Sequence, residues 1–187
     1  MIKPAKMTPY SALALAELAE RAGFPKGVFN VVIGKSASAI GTELATNPIV
    51  RKIGFTGSTP IGKQLMAQAA GTVKKISLEL GGNAPMIIFD DADIEAAVQG
   101  TIASKFRNAG QTCVCANRIF VQDGIYDRFS EALSAAVAAM KQGGGFDEGV
   151  VLGPLIEGAA VDKVEEHVQD AVAKGAKVAY GGQRLAD

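Results

Sequence analysis

The chain has 187 residues, 48% hydrophobic and 20% charged, and its 19 basic and 19 acidic side chains cancel to a net charge of zero. That size and composition describe a globular protein of one large domain or two small ones. The scattered charges track no nucleic-acid backbone, and no apolar run is long enough to span a bilayer.

Thr8 and Pro9 open the first helical pattern, with a hydroxyl N-cap and proline at the first helical position; Gly23 and Pro25 close it, so helix one is expected from Pro9 to Ala22. The apolar run from Val28 to Ile33 reads as a buried strand, followed by a helix from Ser36 to Ala45. A strand from Arg51 to Phe55, the turn Thr56-Gly57-Ser58 and a helix from Thr59-Pro60 complete a βα unit, and the pattern repeats. Strands are expected from Lys74 to Glu79 and from Pro85 to Phe89, with an Asp-capped helix from Ala92 to Arg107. Beyond it lie a strand at Ile119 to Val121, a helix from Tyr126 to Met140, a turn at Gly143 to Gly145, a helix from Ala159 to Ala173 and a strand from Lys177 to Tyr180. Strands alternating with helices of this length predict an α/β fold whose parallel sheet is covered on both faces. Met1 to Lys3 is too short to be a sheet member, so the chain reads as beginning inside a fold, and it stops just after a strand.

Few residues could carry chemistry. His167, the single histidine, lies in the charged helix VEEHVQDAV and reads as a solvated imidazole. Without a second histidine, Ser-His-Asp and Cys-His machinery are excluded within one chain. Cys113 and Cys115, in GQTCVCANR, supply half a tetrahedral zinc set, so no metal is expected. Both could be small core residues, since free cysteine is often buried. Their surroundings, Arg107 to Thr112, are instead polar and offer an amide and a guanidinium, which suits a nucleophile. Two cysteines make no disulfide framework and the N-terminus carries no secretory pattern, so a reducing, cytoplasmic setting is expected.

Glu79, in SLELGG, ends an apolar strand; a carboxylate there either stands in water or is buried in the ligand crevice, where burial raises its pKa and fits it for general-base work. Phe55-Thr56-Gly57-Ser58 joins a strand to a helix, and its amides could hold a phosphate or simply cap the helix.

Taken in order, KPAK, FTGS, LELGGNAP and GQTCVCANR resemble the aldehyde dehydrogenase superfamily, and SKFRNAGQTCVCANR is most similar to its succinate-semialdehyde dehydrogenases. The resemblance runs from residue 1 to 187. It implies a partial Rossmann-like dinucleotide-binding domain over 1–80 and a partial catalytic domain over 81–187. By the resemblance Cys113 is the nucleophile that forms a thiohemiacetal and then a thioester, and Glu79 is the base that activates the hydrolytic water. Arg107 grips the far carboxylate of succinate semialdehyde, and Cys115 is a second cysteine that can pair with Cys113 as a redox switch. Such a disulfide closes a strained small ring and should be easily reduced.

The cofactor set implied is Lys3, Pro4, Ala5, Lys6, Gly57, Ser58 and Leu80, for NADP or NAD. Lys6 departs from the glutamate common at its position; glutamate would repel a 2′-phosphate, whereas lysine can pair with it, so NADP is favoured. The resemblance implies a small aldehyde as substrate, succinate semialdehyde or another, and a homo-oligomer for the full-length enzyme; a non-catalytic truncated product is the alternative, and neither nucleic acid nor membrane is expected as a partner. Family members are more than twice this length, so 187 residues in isolation are expected to have little or no dehydrogenase activity: loss of an oxyanion donor alone costs about 100- to 1,000-fold in rate.

Overall fold

The computed structural model describes residues 1–185; Ala186 and Asp187, the last two residues of the 81–187 expectation, lie outside the described residues. The chain separates into two compact units, Met1–Leu80 and Gly81–Asp187.

In the first unit, α1 (Tyr10–Arg21) and α2 (Ala37–Thr46) precede a β-α-β crossover of β1 (Lys52–Gly57), α3 (Thr59–Ala70) and β2 (Lys75–Leu80). Ser36 caps α2, its hydroxyl accepting from the Ala39 N–H at 3.2 Å. β1 and β2 run parallel, Lys52 opposite Lys75 through to Gly57 opposite Leu80. Ala45, Ile53, Leu65 and Ala69 form the core, with Val50, Phe55 and Ile76 packed against it.

The second unit repeats the crossover with β3 (Ala84–Ile88), α4 (Ile94–Lys105) and β4 (Ala116–Val121), then adds α5 (Tyr126–Ala138) and α6 (Gly158–Ala173). Asp93 caps α4, accepting from the Ala96 N–H at 2.9 Å. β3 and β4 are parallel, with a register shift between Ala84 and Pro85. Ile88, Val98, Ile125 and Phe129 make this core. Burying one such side chain contributes about 1.5–3 kcal/mol.

Several expectations are corrected. Each parallel pair is covered on one face only: along β2, Ile76, Leu78 and Leu80 are half-buried while Lys75, Ser77 and Glu79 are exposed. The reason is already in KISLEL, which alternates apolar and polar instead of running apolar throughout. The strand expected over Val28 to Ile33 shrinks to one parallel bridge, Val31 with Ile2, because Met1 to Lys3 is too short to template more. Ile2 thus does pair, although it forms no strand. Lys177 to Tyr180 forms no strand among the described residues; beyond it, Arg184 ties the chain to α6, bridging Asp162 and Glu165 at 2.7 and 2.8 Å. α4 ends at Lys105 rather than Arg107, because Asn108 and Ala109 turn left-handed; α5 ends at Ala138 rather than Met140.

Candidate active site

The two cysteines have opposite environments. Cys113 is exposed, whereas Cys115 is 1% exposed, and both are free thiols. The Cys115 Sγ points to the end of α4, 3.5 Å from the Lys105 carbonyl oxygen and 3.9 Å from that of Arg107. Helix ends leave carbonyls without intrahelical partners, and the thiol fills that vacancy. A disulfide with Cys113 would remove the S–H that makes these contacts.

The connection from α4 to β4 presents Cys113 on a strained frame. Asn108, Ala109 and Gly110 all have positive φ, at 52°, 54° and 76°. For a residue with a Cβ the left-handed conformation costs about 1–2 kcal/mol, least for asparagine. Hydrogen bonds at both ends hold the loop against that cost. Gln111 donates from its backbone N–H and from Nε2 to the Asn108 carbonyl, both at 3.1 Å, and Asn108 Nδ2 returns a bond to the Gln111 carbonyl at 3.2 Å. Further on, the Ala116 N–H donates to Ser104 Oγ at 3.2 Å, and Lys105 Nζ to Asn117 Oδ1 at 2.9 Å. Asn117 and Arg118 then bond the carbonyls of Gly82 and Asn83. A Cβ on Gly82 would stand 3.9 Å from the Cys113 carbonyl oxygen, so the thiol-bearing turn lies over that glycine. Arg107, at the entrance of the loop, is exposed and has no ion pair among the described residues.

In the first unit, the carboxyl end of the β1–β2 pair gathers four of the expected residues. Glu79 lies opposite Thr56, and Leu80 opposite Gly57, with Ser58 next in the chain. Glu79 is exposed, which corrects the alternative of a buried carboxylate: β2 alternates, and its odd-numbered residues face outward. Leu80 is half-buried over Gly62, where a Cβ would approach its Cδ2 to 2.5 Å. A Cβ on Gly57 would collide with the Phe55 ring, so a side chain there would have to displace that ring.

Ser58 is the N-cap of α3, yet its hydroxyl makes no capping bond, and the first-turn N–H groups have no side-chain acceptor. A free hydroxyl and free amides at a helix N-terminus fit the pyrophosphate of a dinucleotide. Lys3 is half-buried with Nζ donating to the Pro4 carbonyl at 2.7 Å; Pro4 is half-buried, and Ala5 and Lys6 are exposed.

Sequence reasoning missed the bond from the Ile156 N–H to Gln111 Oε1, 2.9 Å long and spanning 45 residues, which local spacing cannot reveal. It also missed the left-handed run, for which Asn-Ala-Gly was the available signal. Among the described residues no cluster could hold a metal ion, and no helix is long and apolar enough to cross a membrane.

Comparison with known proteins gives one consistent match. The aldehyde dehydrogenase family model covers residues 1–187. The chain is 66% identical over 183 residues to succinate-semialdehyde dehydrogenase [NADP(+)] GabD of Escherichia coli, covering 98% of this chain and 38% of that protein. It is equally 66% identical to the glutarate-semialdehyde dehydrogenase of Pseudomonas aeruginosa, with the same coverage. The crystal structure of succinate-semialdehyde dehydrogenase from Burkholderia pseudomallei superposes with a TM-score of 0.97 at 63% identity, over 100% of this chain and 38% of that one. The chain therefore spans under two-fifths of the length of the relatives it matches. Its α/β architecture of parallel strands is part of their fold, and the chain belongs to the aldehyde dehydrogenase family.

Proposed function

We propose that these residues serve NADP- or NAD-dependent oxidation of a small aldehyde that carries a carboxylate at its far end, succinate semialdehyde first among them. The carrying observation is the asymmetry of the cysteines: Cys113 is exposed on a braced, strained loop, whereas Cys115 is buried beneath the helix end. The names of the relatives support the substrate class, since succinate and glutarate semialdehydes differ by one methylene and share the carboxylate. Glutarate semialdehyde is accordingly the second reading.

In this reading the Cys113 thiolate adds to the aldehyde carbon, forming a C–S bond and a thiohemiacetal. Arg107 offers the substrate carboxylate a planar pair of donors. A nicotinamide dinucleotide, when bound, would supply the acceptor for the hydride that leaves this carbon; with the hydroxyl proton released to water, a thioester to Cys113 remains. Glu79 takes a proton from the water that attacks the thioester, which breaks the C–S bond, frees the carboxylic acid and restores the thiolate. Ser58, the Gly57 turn and the first-turn amides of α3 would hold the pyrophosphate, Leu80 would line the same strand ends, and Lys3, Pro4, Ala5 and Lys6 would take the adenosine side. The first unit thereby acts as the dinucleotide-binding part and carries Glu79, and the second carries the nucleophile Cys113 and Arg107. Cys115 as a reversible redox partner of Cys113 is part of the same proposal.

The test is turnover of succinate semialdehyde with either nucleotide by the protein that carries these residues, compared with Cys113→Ser. The expected result is loss of oxidation in Cys113→Ser with nucleotide binding retained. Full activity in that variant refutes the assignment.

A further inference from the structure

The geometry points to Gln111 as a positioning residue: it locks the left-handed turn that sets the Arg107 cation relative to the Cys113 thiol, an inference that rests on Cys113 and Arg107 forming the substrate site. Both halves of its carboxamide are used. Nε2 donates to the Asn108 carbonyl at 3.1 Å, closing the turn locally, and Oε1 accepts the Ile156 N–H at 2.9 Å, tying the turn to the segment just before α6. The Gln111 backbone N–H and the Asn108 side chain add two more bonds across the same turn, at 3.1 and 3.2 Å.

The residues enclosed, Ala109 and Gly110, both have positive φ, as does Asn108 itself. A run of left-handed residues that includes an alanine persists only where its surroundings over-determine it. Here the determining groups are the two amides. Arg107 stands immediately before the turn and Cys113 two residues after Gln111, so the turn is the whole covalent path between them apart from Thr112. Gln111 has no part in bond making. It acts through the turn, on the placement of the cation and of the thiol, and thereby on how strongly an anionic electrophile is favoured at Cys113 over a neutral one.

The test uses the 187-residue chain and measures, by mass spectrometry, the rates at which Cys113 is modified by iodoacetate and by iodoacetamide. Amide exchange at Ile156 is followed in parallel. The reference is the free peptide of residues 108–118, which lacks Arg107 and has no fixed turn. The native chain is expected to show a higher iodoacetate-to-iodoacetamide ratio than the peptide. Gln111→Met keeps length and removes both hydrogen bonds; the ratio should fall towards that of the peptide, and Ile156 exchange should quicken by up to about tenfold, the effect of one lost hydrogen bond. If that variant does not fold, Asn108→Gly carries the test: glycine accepts the left-handed backbone but removes one bond across the turn, so the ratio should fall while Ile156 stays protected.

A ratio that survives Gln111→Met, or survives Asn108→Gly where Gln111→Met is unfolded, overturns the role of Gln111 and leaves the substrate-site reading standing. A native ratio no higher than that of the peptide overturns the pairing of Cys113 with Arg107, and the inference falls with it. A variant that melts earlier but keeps the native ratio makes Gln111 merely structural, which also overturns the proposal.

Discussion

Replacing alanine by glycine usually loosens a protein, yet at Ala109 the structure requires the opposite. Ala109 has φ 54° and ψ 33°, inside the left-handed region. An L-residue with a Cβ is held there at a cost of about 1–2 kcal/mol, and glycine escapes it. Glycine also raises the entropy of the unfolded chain, which costs about 0.5–1 kcal/mol. The difference predicts that Ala109→Gly stabilises the second unit by about 0.5–1 kcal/mol.

Ala135 supplies the control. It is exposed on α5 in the same unit, and Ala135→Gly there should destabilise by about 1 kcal/mol through helix propensity. Both variants are compared with the native chain in urea, with unfolding followed by amide exchange in β3 and β4 so that the second unit is read by itself. Opposite shifts of the midpoint are expected. If Ala109→Gly destabilises as much as Ala135→Gly, residue 109 is not left-handed in solution, and the account of the loop that presents Cys113 fails.

Two further outcomes can be stated. Lys6→Glu should shift preference from NADP towards NAD, because a carboxylate repels a 2′-phosphate that an ammonium attracts; titration with both nucleotides reads this, and an unchanged ratio refutes it. Glu166, bonded to Lys163 Nζ at 2.9 Å, has its pKa lowered first by that hydrogen bond and then by the charge of Lys163. A depressed carboxylate stabilises the folded chain above its unfolded pKa, and that contribution is lost as pH falls through the folded value. Carboxyl chemical shifts should therefore place Glu166 below the ordinary glutamate range in the native chain and restore it to that range in Lys163→Met; equal values in the two proteins contradict this.

The helices were legible because their punctuation is local. Ser36 and Asp93 cap α2 and α4 as their side-chain chemistry dictates, and Gly23 follows the end of α1. The strands with partners in the chain, β1 to β4, were legible from apolar runs, whereas Val28 to Ile33 and Lys177 to Tyr180 were not strands. Propensity marks a segment as able to pair, but pairing needs a neighbour, and Ile2 is the only one the first of these finds among the described residues. At the candidate site the residue types and their order suggested a cysteine nucleophile and a guanidinium. The split between Cys113 and Cys115 was not legible, because it depends on where α4 ends, on the Ser104 hydroxyl that accepts the Ala116 N–H, and on the bond from Ile156, which lies far from the motif in the chain. The exposure of Glu79 was readable in KISLEL, where the alternation outweighs the apolar content.

The central claim is that the Cys113 sulfur adds to an aldehyde bearing a distant carboxylate, and protection from alkylation measures it directly. The native chain is treated with iodoacetamide alone, with succinate semialdehyde, and with butanal, and modification of each cysteine is counted on the peptide from Asn108 to Arg118. The account predicts that Cys113 is modified and Cys115 spared, and that succinate semialdehyde slows the reaction at Cys113 more than butanal does. Modification of Cys115 first, or no protection by either aldehyde, contradicts it.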